Sequence, residues 1–263
     1  MRENDELLLA TAEAAAKEGG KLIRERWQQP RHVSDKGFRD WVTDADLAAQ
    51  KAITDLILER FPQHAFLAEE EDATLATGGD VVWIVDPLDG TSNFSRQLPN
   101  FAISIAAAVD GVVKAGVVFD PLRREMFSAA AGRGSTLNGA PLHTSQTAEL
   151  ARAIIALDWS HSRARRQATL EALGRFLHHV HTVRALGTAA LALAWVAAGR
   201  LDAYLNVYLH PWDVAAGALL VREAGGPVSD WQANPWALVG SPKACLGCNP
   251  RLQQQLLALI GGA

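Results

Sequence analysis

The chain has 263 residues, of which 49% are hydrophobic and 21% charged, values typical of a globular protein with one large domain or two small ones. Two cysteines exclude a disulfide-stabilised scaffold, and a net charge of −4 gives no general attraction to nucleic acid. The N-terminus lacks the features of a signal peptide and no apolar stretch is long enough to span a bilayer. We therefore expect a cytoplasmic protein without a nucleic-acid or membrane partner.

The first half of the chain predicts two helices followed by strands. Asn4 can cap a long amphipathic helix that ends before Pro30, and Thr43 can cap a second helix that runs to about Arg60. The polar residues 31–40 between them predict a mobile loop. Strands are predicted at 64–68, 81–85, 101–109 and 112–119, the last two as a hairpin that turns at Asp110 and Gly111.

The second half alternates strands and helices, which is typical of an α/β unit. A turn at 138–141 interrupts the pattern, and we place a domain boundary near residue 146, between an α+β domain (1–146) and an α/β domain (147–263). Strands are predicted at 153–157, 180–184, 202–207 and 237–241, and helices at 163–178, from about 187, and at 213–224.

The most informative segment directly follows the apolar strand 81–85. It runs Asp-Pro-Leu-Asp-Gly-Thr from Asp86 to Thr91, so two carboxylates leave the strand end together. Carboxylates held close repel each other unless a proton or a cation lies between them, and an all-oxygen pair suits Mg²⁺. The residues from Gly90 to Asn93 can begin a helix whose free N–H groups bind phosphate. The alternative is a polar turn without a function.

Three more acids are placed where they can join this pair. Glu69 follows a predicted strand, although acidic triplets are also typical of solvated loops. Asp46 lies in the first turn of the second helix, where it can complete a capping box with Thr43 or orient a water. Asp213 begins the helix 213–224 as a preferred N-cap. A cap can be Ser or Thr, whereas a metal ligand of this type must be Asp or Glu, so the three together favour a metal site.

The same segments resemble the signatures of the inositol monophosphatase family, in order and spacing across nearly the whole chain. The two long matches are specific, and two shorter ones accompany them. They are Asp86 to Phe94, Trp212 to Gly217 with Glu223 to Gly226, Asp40 to Thr43 with Asp46, and Ala68 to Glu70.

This resemblance implies a layered αβαβα sandwich related to fructose-1,6-bisphosphatase, frequently a homodimer, with two or three Mg²⁺ ions that Mn²⁺ can replace. The implied metal ligands are Glu69, Asp86, the Leu88 carbonyl, Asp89 and Asp213, while Asp46, Glu69 and Thr91 would activate the water. The implied substrate contacts are Lys36, Gly90, Thr91, Ser92, Arg184, Gly187, Thr188, Ala189, Asn206 and Asp213.

The implied activity is hydrolysis of a small polyol, sugar or amino-alcohol phosphate. A phosphate monoester needs charge neutralisation and an activated water rather than a protein nucleophile, which agrees with an all-carboxylate site. Asn206 stands where inositol-hydrolysing members have an acid that binds sugar hydroxyls; Asn can still bond hydroxyls but lacks the charge, so the resemblance does not imply inositol as the preferred substrate. Histidinol-phosphatase, fructose-1,6-bisphosphatase and 3′,5′-bisphosphate nucleotidase activities remain alternatives, as does a non-catalytic phosphosugar-binding protein.

Overall fold

The computed structural model describes residues 5–29, 33–37, 40–70, 80–238 and 243–261. Within these ranges, none of the helices has the length and apolar character needed to cross a membrane. The helices are α1 (Asp5–Arg26), α2 (Asp44–Arg60), α3 (Thr91–Ser95), α4 (Arg163–Phe176), α5 (Ala189–Ala197), α6 (Pro211–Glu223) and α7 (Gln253–Ile260).

The strands form one hairpin and two sheets. The hairpin and the larger sheet use β1 (Val33–Gly37), β2 (Asp40–Thr43), β3 (Ala65–Ala68), β4 (Val81–Asp89), β5 (Ala102–Val109), β6 (Val112–Asp120), β7 (Glu125–Ala130), β8 (Ser135–Leu137) and β9 (Ala140–Pro141). The smaller sheet uses β10 (Ile154–Leu157), β11 (Thr182–Arg184), β12 (Ala203–Leu209), β13 (Val228–Ser229) and β14 (Lys243–Cys248).

The larger sheet has seven strands in the order β3-β4-β5-β6-β7-β8-β9 and is antiparallel except where β3 runs parallel to β4. The smaller sheet has the order β11-β10-β12-β14-β13. In it β10 runs parallel to both β11 and β12, while β14 runs antiparallel to its two neighbours. The carboxyl ends of β10, β11 and β12 therefore meet at one edge.

The elements stack in five layers, as an αβαβα sandwich. Helices α1 and α2 cover the outer face of the larger sheet, α5 and α6 lie between the sheets, and α4 and α7 cover the outer face of the smaller sheet. Alternation along β4 shows how the strands serve two cores: Trp83 and Val85 face the α1–α2 layer, while Ile84 faces α5 and α6. The fold class predicted from the family resemblance is confirmed, whereas the boundary at residue 146 stays a prediction.

Two features of the first half differ from the sequence prediction. Residues 33–37 and 40–43 pair as a hairpin instead of the predicted loop, because Ser34 lies opposite the strand-forming Val42. The region between β6 and residue 146 holds three strands, β7, β8 and β9, that the pattern did not predict. In β7 polar and apolar residues do not alternate, because this strand lies between two others in a covered sheet and is buried at nearly every position.

The second half differs in two places. The strand predicted at 237–241 is wrong for Ala237 and Leu238, which lie outside any strand, and residues 239–242 lie outside the described ranges. The neighbouring strand is β14, whose pairing with β12 and β13 is decided by contacts distant in sequence. Helix α7 was not predicted and covers the smaller sheet with Leu256 and Ile260.

Candidate active site

A bulge near the end of β4 holds two carboxylates together. Asp86 pairs with Ser104 of β5 and Asp89 with Ala102, and the register shifts between them. Both acids therefore belong to the strand instead of following it, because β5 continues the pairing beyond Val85. The side chain of Asp86 is buried, and its Oδ1 accepts a hydrogen bond of 3.0 Å from the amide two residues on. The bulge changes the direction of the side chains at the end of the strand, as bulges next to active sites commonly do.

Gly90 turns the chain from β4 into α3. Its φ of +99° lies in the left-handed region that side chains rarely adopt. A Cβ at this position would lie 2.9 Å from the carbonyl oxygen of Asn100 and 3.2 Å from that of Gly187, which precedes α5. A glycine here lets the second half of the chain approach the bend.

Replacing Gly90 by Ala is expected to lower the free energy of unfolding by about 1–3 kcal/mol from backbone strain, with a further loss from the close carbonyl contacts. Urea unfolding measures the change. The matched control is Gly225→Ala, where φ is +90° but a Cβ would meet nothing within 4 Å. Equal losses in the two variants would mean that the close approach at Gly90 does not matter.

Asp46 connects α2 to the bend. Its Oδ2 accepts hydrogen bonds from the amide (2.9 Å) and the hydroxyl (2.5 Å) of Thr43, which completes the predicted capping box. Its Oδ1 accepts a hydrogen bond of 2.8 Å from the Thr91 hydroxyl, whose oxygen also lies 3.0 Å from the Leu88 carbonyl oxygen. Burial raises the pKa of Asp46, against the lowering effect of these hydrogen bonds. One carboxylate therefore caps a helix and contacts the candidate site.

Asp89 links the bend to the second half of the chain. Its Oδ2 accepts hydrogen bonds from the Thr188 hydroxyl at 2.5 Å and from the Ala190 amide at 2.7 Å, in the first turn of α5. The Ala189 amide contributes to the same carboxylate. Burial nevertheless raises the pKa of Asp89 to about 6, because the loss of hydration outweighs these hydrogen bonds.

Two further acids complete the cluster. Asp213 lies in the first turn of α6, where its Oδ2 accepts a 2.7 Å hydrogen bond from the His210 amide. His210 is the N-cap, so the predicted capping position of Asp213 is wrong, because Pro211 starts the helix two residues earlier. Glu69 follows β3, parallel to β4, and its amide donates to Val85 at 3.2 Å.

The four acids act on one another electrostatically. Burial raises the pKa of Asp213 well above its usual range, and the charges of Asp89 and Glu69 raise it further. Burial also raises the pKa of Asp86, with the charges of Glu69, Asp89 and Asp213 adding to the effect. Acids from β3, β4 and α6 therefore lie near enough to disfavour one another's ionised forms.

The donor set fits hard divalent cations. In the described part of the chain no Lys or Arg forms an ion pair with the three aspartates, so a proton or a bound cation has to balance their charge. No three His, Cys, Asp or Glu side chains of the described residues stand grouped as a finished metal site. The aspartate oxygens are directed at backbone and hydroxyl donors, but a carboxylate has about four lone-pair sites and can also coordinate Mg²⁺.

Two residues predicted to face substrate lie on the first half of the chain. Lys36 belongs to β1, and its side chain lies outside what the structure describes. Ser92 is exposed in the first turn of α3, where its carbonyl accepts a 2.9 Å hydrogen bond from the Ser95 hydroxyl. The structure therefore places Ser92 beside the bend.

Two other residues that were predicted to contact substrate lie at the carboxyl edge of the smaller sheet. Arg184 is exposed, and its guanidinium donates to the Thr182 hydroxyl and the Val183 carbonyl of its own strand. Asn206 is 4% exposed; its amide donates to the Tyr204 hydroxyl at 3.2 Å and its carbonyl oxygen accepts from the Tyr208 amide at 3.1 Å. Both side chains are engaged within the protein.

The side chains of three polar residues near the site have roles that the sequence did not predict. Gln50 of α2 accepts a 3.1 Å hydrogen bond from the Glu70 amide. Asn93 donates at 2.7 Å to the carbonyls of both Asn100 and Leu186 and so connects the two halves. Asp158 directly follows β10 and accepts a 2.6 Å hydrogen bond from the amide of Gly187. An acid after an apolar strand was available as a signal for Asp158, as it was for Asp86.

Comparison with known proteins finds relatives that match nearly the whole chain. The Nus factor SuhB of Escherichia coli K12 is 41% identical over 256 residues, covering 95% of this chain and 94% of that protein. Inositol monophosphatase 1 of Solanum lycopersicum is 36% identical over 263 residues, with coverages of 97% and 95%. The crystal structure of the extragenic suppressor protein suhB from Bartonella henselae has a TM-score of 0.92 at 33% identity, over 98% of this chain and 99% of that one. The model of the inositol monophosphatase family matches residues 4–261. The chain therefore belongs to the inositol monophosphatase family.

Proposed function

We propose that this chain is a Mg²⁺-dependent phosphomonoesterase that hydrolyses a small polyol, sugar or amino-alcohol phosphate. The observation that carries the proposal is the mutually repelling set of Asp86, Asp89, Asp213 and Glu69, of which Asp86 is buried and the others are half-buried, beside the bond between Thr91 and Asp46. No described Lys or Arg forms an ion pair with the three aspartates, and such a cluster is costly in its ionised form, so a function that supplies divalent cations accounts for it.

The proposed metal ligands are the carboxylates of Glu69, Asp86, Asp89 and Asp213 and the Leu88 carbonyl. When bound, Mg²⁺ would neutralise the phosphate charge, lower the pKa of a bound water and stabilise the departing alkoxide. The amides of Gly90 and Thr91 would hold the phosphate oxygens. This donor set is all oxygen, which Mg²⁺ and Mn²⁺ prefer.

Thr91 and Asp46 would receive the proton of the attacking water. The Thr91 proton points to Asp46 Oδ1 or to the Leu88 carbonyl, which leaves lone pairs of the hydroxyl oxygen for the water. Asp46 Oδ2 is occupied by Thr43, so Oδ1 is the oxygen that serves the site. Burial raises the pKa of Asp46, which makes its carboxylate a stronger base near neutral pH.

The relatives support phosphatase chemistry through the Solanum lycopersicum inositol monophosphatase 1. The Escherichia coli relative is named as a Nus factor, and that role is not carried to this chain. A full set of four acids favours turnover over a phosphosugar-binding protein, which needs no metal-activated water. A homodimer and a cytoplasmic location stay predictions.

Phosphate release from a substrate panel tests the proposal. Purified protein with Mg²⁺ is incubated with polyol, sugar, amino-alcohol and nucleotide monophosphates, and inorganic phosphate is measured with and without EDTA. We expect EDTA-sensitive release from at least one small monoester. Binding of panel members without any release would favour the non-catalytic alternative instead.

Replacing Thr91 by Val is expected to lower kcat by roughly 10²-fold or more, since the isosteric side chain removes the hydroxyl that relays the proton. Steady-state kinetics at saturating Mg²⁺ measure the loss. Thr91→Ser is the matched control and should retain most of the activity, because it keeps the hydroxyl. If the kcat of the Val variant stays within about threefold of the wild-type kcat, Thr91 is not part of the proton path.

A further inference from the structure

A pocket of about 580 Å³ opens at the start of α4. It is lined by His161, Ser162, Arg163 and Arg165, of which His161 and Arg163 are exposed and the other two half-buried. None of the described acids lines it. A guanidinium group stays charged in proteins and has five N–H donors but no acceptor. The residues of this pocket therefore favour an anionic ligand.

The two arginines of the pocket have no anionic partner among the described residues. The ion pairs of the described chain use other arginines, such as Arg123 with Asp120 and Arg200 with Glu125. The guanidinium groups of Arg163 and Arg165 donate no hydrogen bond to a described residue. Two like charges at one pocket repel each other, and an anion bound there would offset this repulsion.

Tyr208 of β12 orients one of these guanidinium groups. The Cζ of Arg165 lies over the Tyr208 ring, 3.1 Å from the ring centre. A guanidinium that stacks on an aromatic ring still has N–H groups at its edge, which can donate to a carboxylate or a phosphate. Because the side chain is already oriented, less conformational freedom is lost when it binds a ligand.

A row of aromatic rings leads from Arg165 to the acid cluster. The Tyr208 ring lies at right angles to the His210 ring, with 5.4 Å between the ring centres. His210 stacks in parallel on Trp212 at 4.7 Å. Trp212 directly precedes Asp213, one of the proposed metal ligands. A continuous series of ring contacts therefore connects the pocket to the proposed metal site.

The backbone before α4 makes a second connection to the site. Asp158 accepts a 2.6 Å hydrogen bond from the Gly187 amide, and its carboxylate also accepts from the Tyr204 side chain and the Leu186 backbone. The Gly187 carbonyl approaches the bend, since a Cβ on Gly90 would lie 3.2 Å from it. The segment that follows Asp158 therefore runs from the neighbourhood of the bend to the pocket.

The residue at position 206 agrees with a positive charge on this side of the site. The family resemblance implies an acid there for inositol, and this chain has Asn206 instead. The carbonyl oxygen of Asn206 accepts a 3.1 Å hydrogen bond from the Tyr208 amide, and the Tyr208 ring contacts the Arg165 guanidinium. A neutral side chain and a cation therefore lie where the alcohol part of the substrate is expected.

We propose that Arg163 and Arg165 bind a second anionic group, a carboxylate or a phosphate, on the alcohol part of the substrate. The preferred substrate is then a phosphate monoester that carries two anionic groups. One binds at the acid cluster through the metal ions, and the other binds in the pocket at the start of α4. This inference rests on the proposed phosphatase function and narrows its substrate class.

Two pairs of substrates test the inference, because the members of each pair differ in one group. 3-Phosphoglycerate has a carboxylate where glycerol 3-phosphate has a hydroxymethyl group, and fructose 1,6-bisphosphate has a second phosphate where fructose 1-phosphate has a hydroxyl. The pairs distinguish a carboxylate from a phosphate as the second anion. We expect Arg165→Gln to lower the kcat/KM ratio of the doubly anionic member to its partner by about 10-fold or more in at least one pair, mainly through KM.

Two further variants accompany Arg165→Gln. Arg163→Gln removes an exposed charge that bonds no described residue, so we expect it to fold as the wild type does and to lower the same ratio by about threefold or more. Arg152→Gln is the matched control, because Arg152 is exposed and lies outside the pocket. It should keep the wild-type ratio in both pairs.

Equal ratios in the wild type and in Arg165→Gln, for both pairs, overturn the inference. Thermal melts recognise a folding defect, and if Arg165→Gln melts below the wild type, Arg163→Gln decides by the same criterion. A lowered ratio in a folded variant, with the ratio of Arg152→Gln unchanged, supports the inference.

Failure of the proposed function looks different. If none of the four compounds nor p-nitrophenyl phosphate releases phosphate with Mg²⁺, the phosphatase proposal fails. Calorimetric titration with the same two pairs then still decides the inference: tighter binding of a doubly anionic member that depends on Arg165 supports it, and equal binding within both pairs overturns it.

Discussion

Replacing Asp89 by Asn is expected to lower kcat/KM for phosphate-monoester hydrolysis by at least about 10³-fold. The variant keeps the size of the side chain and an oxygen that can accept from Thr188 and Ala190. It loses the negative charge that we propose to hold a divalent cation. Steady-state kinetics over a range of Mg²⁺ concentrations measure the loss, with the exposed Asp55→Asn as the matched control.

The same variant separates metal binding from folding. Because burial raises the pKa of Asp89 to about 6, the neutral Asn is expected to leave the metal-free protein as stable as the wild type or more so at pH 8. The rise in melting temperature caused by Mg²⁺ should be lost. A variant with wild-type turnover and wild-type Mg²⁺ stabilisation would remove Asp89 from the site.

Removing divalent cations is expected to abolish turnover and to lower stability in a pH-dependent way. The folded-state pKa of Asp89 is raised to about 6, and those of Asp86 and Asp213 are also raised. A raised carboxyl pKa means that the folded state binds more protons than the unfolded state, for Asp89 between about pH 4 and pH 6. The free energy of unfolding therefore falls as the pH rises through this range.

Mg²⁺ bound to the ionised carboxylates, as we propose, would offset this loss. At a concentration of 100 times its dissociation constant, a cation adds about 2.7 kcal/mol, or roughly 5–10 °C in melting temperature. The shift should be large at pH 8 and small at pH 5, where protons compete for the same oxygens. Thermal melts in EDTA and in Mg²⁺ at both pH values measure it. A shift independent of pH would argue against carboxylate ligands.

The parts of the site that are formed by residues close in sequence could be predicted from the sequence. The capping box of Thr43 and Asp46 was evident because both residues lie in one turn. The turn at Gly90 was evident because Asp-Gly favours positive φ. Long-range partners decided the rest: β5 extends β4 through Asp89, which no pattern around residue 89 reveals.

Asp158 is a residue near the site that the sequence did not predict. In the sequence it follows an apolar run as Asp86 does, but no turn signal or second acid accompanies it, so the sequence alone did not mark it. Its link to the candidate site depends on the amide of Gly187, about thirty residues away. Burial and long-range hydrogen bonds are properties of the folded chain.

Anomalous scattering from crystals grown with Mn²⁺ locates the metal ions relative to the proposed ligands. We expect peaks with oxygen ligands from Asp86, Asp89 and Asp213, at about 2.0–2.4 Å, with Glu69 and the Leu88 carbonyl completing the site. Two ions about 3.5–4 Å apart would match a two-metal phosphatase. A protein that releases phosphate while Mn²⁺ binds away from these carboxylates, or not at all, would contradict the proposed metal site.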